Sequence, residues 1–385
     1  VGSGAAMKIA LVSPYDLSMP GGVNSHILPL ARQFRCAGHD VRVIGPASDS
    51  GSLPNAPGLI VIGRPFPVPA SGSVARIALS LRLAGQVKAV LREEQFDVVH
   101  VHEPLMPLLP IQFLRFSEAV NVGTFHAARE GGSRLYSYSR RLLRRWYRKL
   151  DGKIAVSPAA AALVSRYFRG YYNIIPNGVD VQQFSRPVDP LPQFLDGKQN
   201  ILFLGRFEKR KGLSYLLRAF TAVKREMPET RLIIAGDGRS RPRFERYVRR
   251  ANLQDVVFTG YVSNEDLPRY QHTADIYCSP ATGNESLGIV LLEAMAAGRA
   301  IVASNIEGYA AVVTHGVEGL LVLPKDAEAL SHALVHLLAD DALRERMGNM
   351  GNVRAEQFSW ERVSQRVLSY YERLIHEKRL AREAS

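Results

Sequence analysis

Short apolar runs separated by amphipathic stretches recur along almost the whole chain. In the first half KIALVS, DVRVIGP, LIVIG, DVVHVHE, VNVGTFH and GKIAVS are apolar and rich in β-branched residues, which predicts buried strands. Between them, segments such as SHILPLARQFRCAG and SVARIALSLRLAGQVKAVLREE space their apolar positions as helices do. Strands alternating with helices imply a parallel sheet covered on both faces. The rhythm breaks at NGVDVQQFSRPVDPLPQFLDGKQ, whose prolines and polar residues predict an interdomain linker. It restarts with NILFLGRF, RLIIAGDG, VVFTGYV, ADIYCSP, AIVAS and GLLVLP, each followed by a helical pattern, and the long amphipathic SWERVSQRVLSYYERLIHEKRLAREAS closes the chain. The expectation is an α/β protein of two doubly wound domains, residues 7–190 and 197–358, with a terminal helix over 359–385 packing back toward the first. Two such domains facing across an interdomain cleft place ligands at the carboxyl ends of their strands.

Composition narrows the classes. At 385 residues the chain exceeds what one hydrophobic core usually serves, in keeping with two domains. No apolar run approaches the roughly 18 residues that a membrane-spanning helix needs. The opening VGSGAA reads as an added leader ahead of a natural start at Met7, with no signal peptide. Cys36 and Cys278 are too few for a disulfide framework or a cysteine zinc site, which points to a reducing, cytoplasmic compartment.

The net charge of +13 is uneven: residues 131–150, GGSRLYSYSRRLLRRWYRKL, hold six arginines, one lysine and no acid. On a helix, Leu135, Tyr138, Leu142 and Trp146 share one face, with Arg141, Arg145 and Arg148 on one flank and Arg140 and Arg144 on the other. Such a helix can lie in a membrane interface and hold anionic headgroups; the alternative is a core-facing helix whose arginines are simply solvated. No nucleic-acid module accompanies the charge, so nucleic acid is not an expected partner.

Candidate chemistry sits where strands meet helices. After the first strand, PYDLSMPGGVNSH sets Gly21 and Gly22 before a helix whose free amides and positive dipole end can receive an anion, and a bare Gly22 lets a phosphate come close. The alternative is a tight turn that needs positive φ. The pattern is not the GxGxxG dinucleotide fingerprint. Pro29, seven residues on, is expected to kink or end the helix. GRFEKRKG offers Arg206 as a fork and Lys211 as a point charge for a diphosphate, or else forms a solvated basic loop. In GNESLGIVLLEAMAAG, Glu285 stands at a helix opening and Glu293 eight residues on, a little over two turns, so both can face one ligand. Among the small residues Ala294, Ala296 and Ala297 a carboxylate needs a bonding partner such as a ribose diol, unless both glutamates are exposed.

Together with HEP (His102 to Pro104), GTFH ending at His126, PNGVD (Pro176 to Asp180) and AGDG, these motifs occur in the order and spacing of the retaining, family 4-like glycosyltransferases. The resemblance runs from Met7 to about Leu374 and implies the GT-B architecture of two Rossmann-like domains. Within that group, SPYD, PGGVNSH, GSVARI, VHVHEP and TFHA look most like the bacterial phosphatidylinositol mannosyltransferases, which use GDP-mannose on the inner membrane face.

The resemblance implies that the backbone at Gly22, with Arg206 and Lys211, holds the donor diphosphate. It places Glu285 and the backbone of Ser286, Leu287, Gly288 and Ile289 on the sugar, Glu293 on the ribose and Val262 at the base. His126 matches the histidine that touches the sugar near its reacting centre; with Glu285, Arg206 and Lys211 it makes up the catalytic set. Tyr15, Asn24, Arg76 and Arg129 fall on the acceptor side. Cations then do the electrostatic work of a metal, and the chain has no Asp-x-Asp motif, so neither metal nor cofactor is expected beyond the nucleotide-sugar donor. The implied reaction is same-face attack through an oxocarbenium-like ion pair, with Glu285 and His126 orienting rather than attacking; a paired-carboxylate hydrolase is the mechanistic rival. The expected partners are a lipid acceptor and an anionic membrane surface, peripherally on the cytoplasmic side. The chain departs from the family where Ala127 and Ala128 precede Arg129 in place of hydroxyl residues, and where Leu287 replaces phenylalanine. A UDP-glucose-dependent lipid glucosyltransferase and a non-catalytic sugar-nucleotide-binding membrane adaptor stand as alternatives.

Overall fold

A computed structural model describes residues 5–19, 21–49, 51, 53, 56–70, 73–78 and 83–384. It divides into two compact units, residues 1–177 with 360–385, and residues 178–359. The strands of the first unit are β1 (Lys8–Val12), β2 (Asp40–Gly45), β3 (Leu59–Val61), β4 (Pro65–Ala70), β5 (Ser73–Ala78), β6 (Val98–His102), β7 (Val120–Phe125), β8 (Gly152–Ala155) and β9 (Asn173–Ile174). All but β4 and β5 form one parallel sheet in the order β3-β2-β1-β6-β7-β8-β9. Its helices are α1 (Asn24–Cys36), α2 (Leu83–Glu94), α3 (Leu109–Phe116), α4 (Arg134–Tyr147) and α5 (Pro158–Ser165). Along β1, Ile9 and Leu11 enter the core shared with α1, whereas Ala10 and Val12 enter the core under α2 to α5. Burial on both faces is why the strand is an unbroken apolar run.

The second unit repeats the plan with β10 (Gln199–Leu204), β11 (Thr230–Ala235), β12 (Val256–Gly260), β13 (Ile276–Ser279), β14 (Ala300–Ser304) and β15 (Gly319–Val322), parallel throughout in the order β12-β11-β10-β13-β14-β15. Its helices are α6 (Val181–Ser185), α7 (Leu213–Glu226), α8 (Arg241–Arg250), α9 (Leu267–Thr273), α10 (Ile289–Ala296), α11 (Glu307–Ala310), α12 (Ala327–Ala339) and α13 (Asp341–Ala355). Leu202 and Leu204 of β10 face α6 and α10, while Ile201 and Phe203 face α7 and α12. The last helix, α14 (Trp360–Glu383), belongs to the first unit, where Trp360, Val363, Val367 and Tyr371 share a core with α1. No helix among the described residues is long and apolar enough to cross a membrane.

Three local expectations are corrected. The proline-rich stretch after Asn177 is not a free linker: Val179, Val181, Phe184, Leu191 and Phe194 are buried in the second unit's core, so the boundary falls at residues 177 and 178. Widely spaced apolar residues among prolines are enough to bind an irregular segment to a core. The helix expected from Ser73 to Glu94 begins only at Leu83; β5 pairs instead with β4, PFPVPA, an antiparallel partner that alternate prolines keep extended. Gly72 and residues 79–82 lie outside the described residues. Pro29 sits inside α1 rather than at its end, and the carbonyl deprived of its amide is that of the exposed Ser25, where water can serve.

Candidate functional site

In a doubly wound sheet the ligand crevice lies at the carboxyl ends of the two strands where the order reverses. In the second unit these are β10 and β13, and the candidate residues follow them. Beyond β10, Lys209–Lys211 form one 3-10 turn, closed by Gly212 at φ 73. A Cβ at Gly212 would stand 1.8 Å from the Pro280 carbonyl oxygen, so glycine here is what lets the basic loop lie against the segment after β13. The Thr282 amide then donates to the Arg210 carbonyl at 2.7 Å.

The two loops assemble a chain of charges. Arg206 reaches Glu208 at 3.1 Å, Arg210 reaches Glu208 at 2.8 Å and also Glu285, and Lys211 reaches the same Glu285 oxygen at 2.7 Å. Arg206 is 67% exposed, against 14% for Lys211 and 11% for Glu285. Three cations over two carboxylates leave one positive charge in excess, an arrangement suited to a polyanion. Sequence reasoning misses Arg210; its place in the KRK run beside Lys211 was the available signal.

The helix expected to open at Ser286, with Glu285 at its entry and Glu293 within it, starts later. Asn284 at φ 57 and Gly288 at φ 77 turn the chain, and α10 starts only at Ile289. The turn is tightly held: a Cβ on Gly288 would lie 2.6 Å from the Tyr309 ring, and one on Gly308 2.2 Å from the Glu285 carbonyl oxygen. Leu287 is buried in the core, so it presents only backbone; Ser286 beside it is half-buried. The amides of Ile289 and Val290 open α10 with no acceptor among the described residues. Glu293 is half-buried and has neither hydrogen bond nor ion pair among the described residues. Burial pushes its pKa up to about 7, with Lys211 pulling the other way. Val262 sits half-buried in the loop after β12, packed against the core.

In the first unit the order reverses between β1 and β6. Gly21 and Gly22 are exposed, neither has positive φ, and a Cβ on either would meet open space. The tight-turn use of these glycines is therefore not what the chain shows, whereas close approach from outside remains a reason for them. Pro20 lies outside the described residues. The amides of Gly22 and Val23, just before α1, have no acceptor among the described residues. Asn24 is buried: its Nδ2 donates to the carbonyls of Asp16 at 2.8 Å and Met19 at 3.1 Å, and its Oδ1 accepts from Ser13 Oγ at 2.9 Å. It is a strut of the β1–α1 loop rather than the acceptor contact expected, because its polar atoms are already engaged.

Asp16, also buried, faces Arg76 at 3.8 Å. Burial works against its ionisation, but hydrogen bonds from Ser18 and Ser48 hold its carboxyl below the usual range. Tyr15 bridges to Ile77 of β5, so the hairpin brings Tyr15 and Arg76 together. Arg129 lies half-buried in the loop after β7.

His126 follows β7, half-buried, with Nε2 2.9 Å from Nδ1 of His102 at the end of β6. The buried Glu103 carboxylate fixes its backbone by accepting the amides of His126 at 2.8 Å and Ala127 at 2.9 Å. Burial raises the Glu103 pKa against those two hydrogen bonds. His26 of α1 packs beside both histidines, with Trp360 at 5.3 Å on its other side. His100 stacks on His102 at 4.4 Å and is itself held by Thr124 and Tyr371. Burial pushes all four imidazoles below their ordinary pKa, His26 to about 4 and His100 to about 3. His102 Nε2 is buried without a partner. An orphaned acceptor costs less than an orphaned N–H, so the favoured tautomer protonates His102 at Nδ1 and donates to His126. The roles of His26, His102 and Glu103 escape sequence reasoning because they come from separate elements; HEP at a strand end was the signal.

Helix α4 carries two apolar stripes. Tyr136, Leu143 and Tyr147 are buried in the core, whereas Leu135, Tyr138 and Leu142 are 40%, 88% and 70% exposed. Trp146, expected on the outer face, is half-buried against the core with Arg145 over its ring at 4.9 Å. Arg140, Arg141, Arg144, Arg145 and Arg148 are exposed, and none makes an ion pair among the described residues. Core packing accounts for the inner stripe and leaves the outer one unexplained.

Comparison with known proteins covers both units. The Glycosyltransferase Family 4 model matches residues 20–183 and the Glycosyl transferases group 1 model residues 191–354. The chain is 38% identical over 369 residues to the phosphatidyl-myo-inositol mannosyltransferase of Mycobacterium leprae, covering 95% of this chain and 96% of that one. Among solved structures, sucrose-phosphate synthase from Thermosynechococcus elongatus superposes with a TM-score of 0.75 at 23% identity, over 96% of this chain and 100% of that one. Anabaena HepE in complex with UDP-glucose gives 0.75 at 19% identity, over 95% and 99%.

Proposed function

The chain belongs to the group 1 and family 4 glycosyltransferases and has their GT-B fold, and from that premise we propose that it transfers mannose from GDP-mannose to the headgroup of phosphatidylinositol, with retention and without a metal. The mycobacterial relative's name supplies donor sugar and acceptor class. The observation that carries the reading on this chain is the Arg206, Arg210 and Lys211 cluster closed on Glu208 and Glu285 at the β10 and β13 loops.

Lys211 and Arg206 neutralise the diphosphate as it leaves, which supplies by fixed cations the stabilisation that a metal gives elsewhere. Arg210 and Lys211 hold the Glu285 carboxylate facing the sugar, and Glu293 receives the ribose hydroxyls. The amides before α1 at Gly22 and those opening α10 add dipoles toward the phosphates and sugar. His126 offers a neutral imidazole to the sugar. Attack then comes from the face the leaving group vacates, and the departing phosphate takes the acceptor's proton. Tyr15 and Arg76, joined by the β5 hairpin, receive the lipid phosphate. The outer stripe of α4 rests on the anionic surface that displays the acceptor, and the enzyme works as a peripheral protein there.

Calorimetric titration with GDP, UDP, GDP-mannose and UDP-glucose, in the absence of metal, tests the donor half. Selective binding of the guanosine compounds is expected. Selective binding of the uridine compounds would replace the reading with a lipid glucosyltransferase, and binding of none would overturn the donor half altogether.

A further inference from the structure

His26, His102 and His126 come from three elements of the first unit, and one ring nitrogen of each lies within 4.8 Å of the other two. His26 and His102 are buried and His126 is half-exposed. His26 Nδ1 is buried with no hydrogen-bond partner. Such a nitrogen is expensive to leave bare, and the donor-sugar role proposed above uses only His126 of the three. We propose that this trio is a binding site for one divalent transition cation of the zinc class, and that its occupancy stops transfer by taking His126 from the donor sugar. The second half of that statement rests on the glycosyltransferase role given to His126; the first does not.

Three imidazoles select zinc, cobalt, nickel or copper over magnesium and calcium, which prefer oxygen. A tetrahedral zinc with bonds of about 2.0–2.1 Å holds its ligand nitrogens about 3.3 Å apart. The 2.9 Å separation of His102 Nδ1 and His126 Nε2 is within a few tenths of that, so a cation can replace the proton they share. Three protein ligands leave a fourth position for water, and the half-exposed His126 gives it a route in.

The surroundings suit a cation. Glu103 is a buried carboxylate with no ion pair among the described residues, bound to the backbone amide of His126 at 2.8 Å. A dication beside it would offset that isolated charge. The side-chain amide of Asn177 bears on the His26 ring, and its Oδ1 is otherwise without a partner. His100 and Trp360 wall the trio at ring distances of 4.4 Å from His102 and 5.3 Å from His26, and Thr124 and Tyr371 keep His100 in place.

Cobalt titration of the full chain tests the site. One equivalent should produce the intense visible bands of four-coordinate cobalt, displaced by zinc, and X-ray absorption of the zinc form should count three imidazoles. His26→Gln and His102→Gln should each weaken binding about 10-fold or more. The exposed pair His332 and His336, one turn apart on α12, is the obvious adventitious competitor, so His332→Ala with His336→Ala should leave the bands intact. Zinc should also inhibit transfer, and a chelator should restore it. Absence of four-coordinate bands at millimolar cobalt, an oxygen-dominated zinc shell, or bands lost only with His332 and His336 would overturn the site. The X-ray measurement needs no variant, so misfolding of a substituted protein does not obscure the outcome. Bands without any sugar transfer would keep the cation site and discard its inhibitory meaning, whereas transfer without bands would discard the site alone.

Discussion

The basic segments of the two units, α4 in the first and the loop after β10 in the second, place charge in opposite ways. In the second, the cations after β10 meet carboxylates of their own unit: Arg206 and Arg210 on Glu208, Arg210 and Lys211 on Glu285. In the first, the arginines of α4 meet none among the described residues, while His26, His102 and Glu103 beside the half-buried His126 are packed away from water. Pre-paired charges are already oriented when a small anion arrives, so little reorganisation remains. Unpaired surface charges hold no orientation, and they suit a broad partner that supplies its own negative field.

The largest effect should come from removing the unpaired set. Arg140, Arg141, Arg144 and Arg145 changed together to Gln should lose about 1 kcal/mol each of attraction to an anionic surface, about 4 kcal/mol in all. Sedimentation with phosphatidylinositol-containing vesicles should fall accordingly, with the melting temperature little changed because, among the described residues, only Arg145 of the four touches a packed side chain, the Trp146 ring. Equal sedimentation would return α4 to a solvated surface helix.

The paired set should behave otherwise. Lys211→Ala should lower kcat/KM about 100-fold by removing a charge aimed at the leaving diphosphate. Arg206→Ala should cost less, since Arg206 is largely in solvent. Equal losses for the two would erase the distinction between a pre-oriented and a loose cation.

Asn24→Ala should destabilise the first unit by about 2 kcal/mol, because it leaves the buried Asp16 carbonyl and Ser13 hydroxyl without this partner. A wild-type melting curve with impaired lipid transfer would instead restore Asn24 to the acceptor side.

Glu293 gives the smallest effect and a sign. Its folded pKa of about 7 lies above the ordinary 4.5, so the folded state binds more protons than the unfolded one between those values. Stability from this group is therefore greatest at low pH and declines as pH rises from about 5 to about 8. Glu293→Gln should raise the melting temperature at pH 8 and change it little near pH 4. Ionised Glu293 is the better acceptor for ribose hydroxyls, so donor affinity should climb through pH 7 in the native protein and lose that climb, with about tenfold weaker binding at pH 8, in the variant. A pH-independent native affinity would remove the ribose assignment.

Much of this was legible in the sequence where the determinants are local. Strands such as KIALV announce themselves because both faces are buried, and GRFEKRKG carries its own glycine turn and cations within eight residues. Glu285, Glu293 and a glycine turn after Glu285 were found, but the helix start at Ile289 was not, since the left-handed Gly288 before it depends on the closeness of Tyr309. The β4–β5 hairpin was hidden because the same apolar spacing serves a helix until the prolines of its partner are considered. The histidine trio was invisible for a different reason: residues 26, 102 and 126 have no sequence spacing in common and meet only when β1, β6 and β7 lie side by side. Likewise the two stripes of α4 needed the core to show which one was already taken.

Mannosyl transfer itself is tested most directly by incubating the full chain with GDP-mannose labelled in the sugar and vesicles containing phosphatidylinositol, without added metal, then extracting the lipid. The predicted result is label in a phosphatidylinositol mannoside with GDP released in equal amount, and neither product when the vesicles lack phosphatidylinositol. Label absent from the lipid, or appearing there only when sugar-labelled UDP-glucose replaces GDP-mannose, would contradict it.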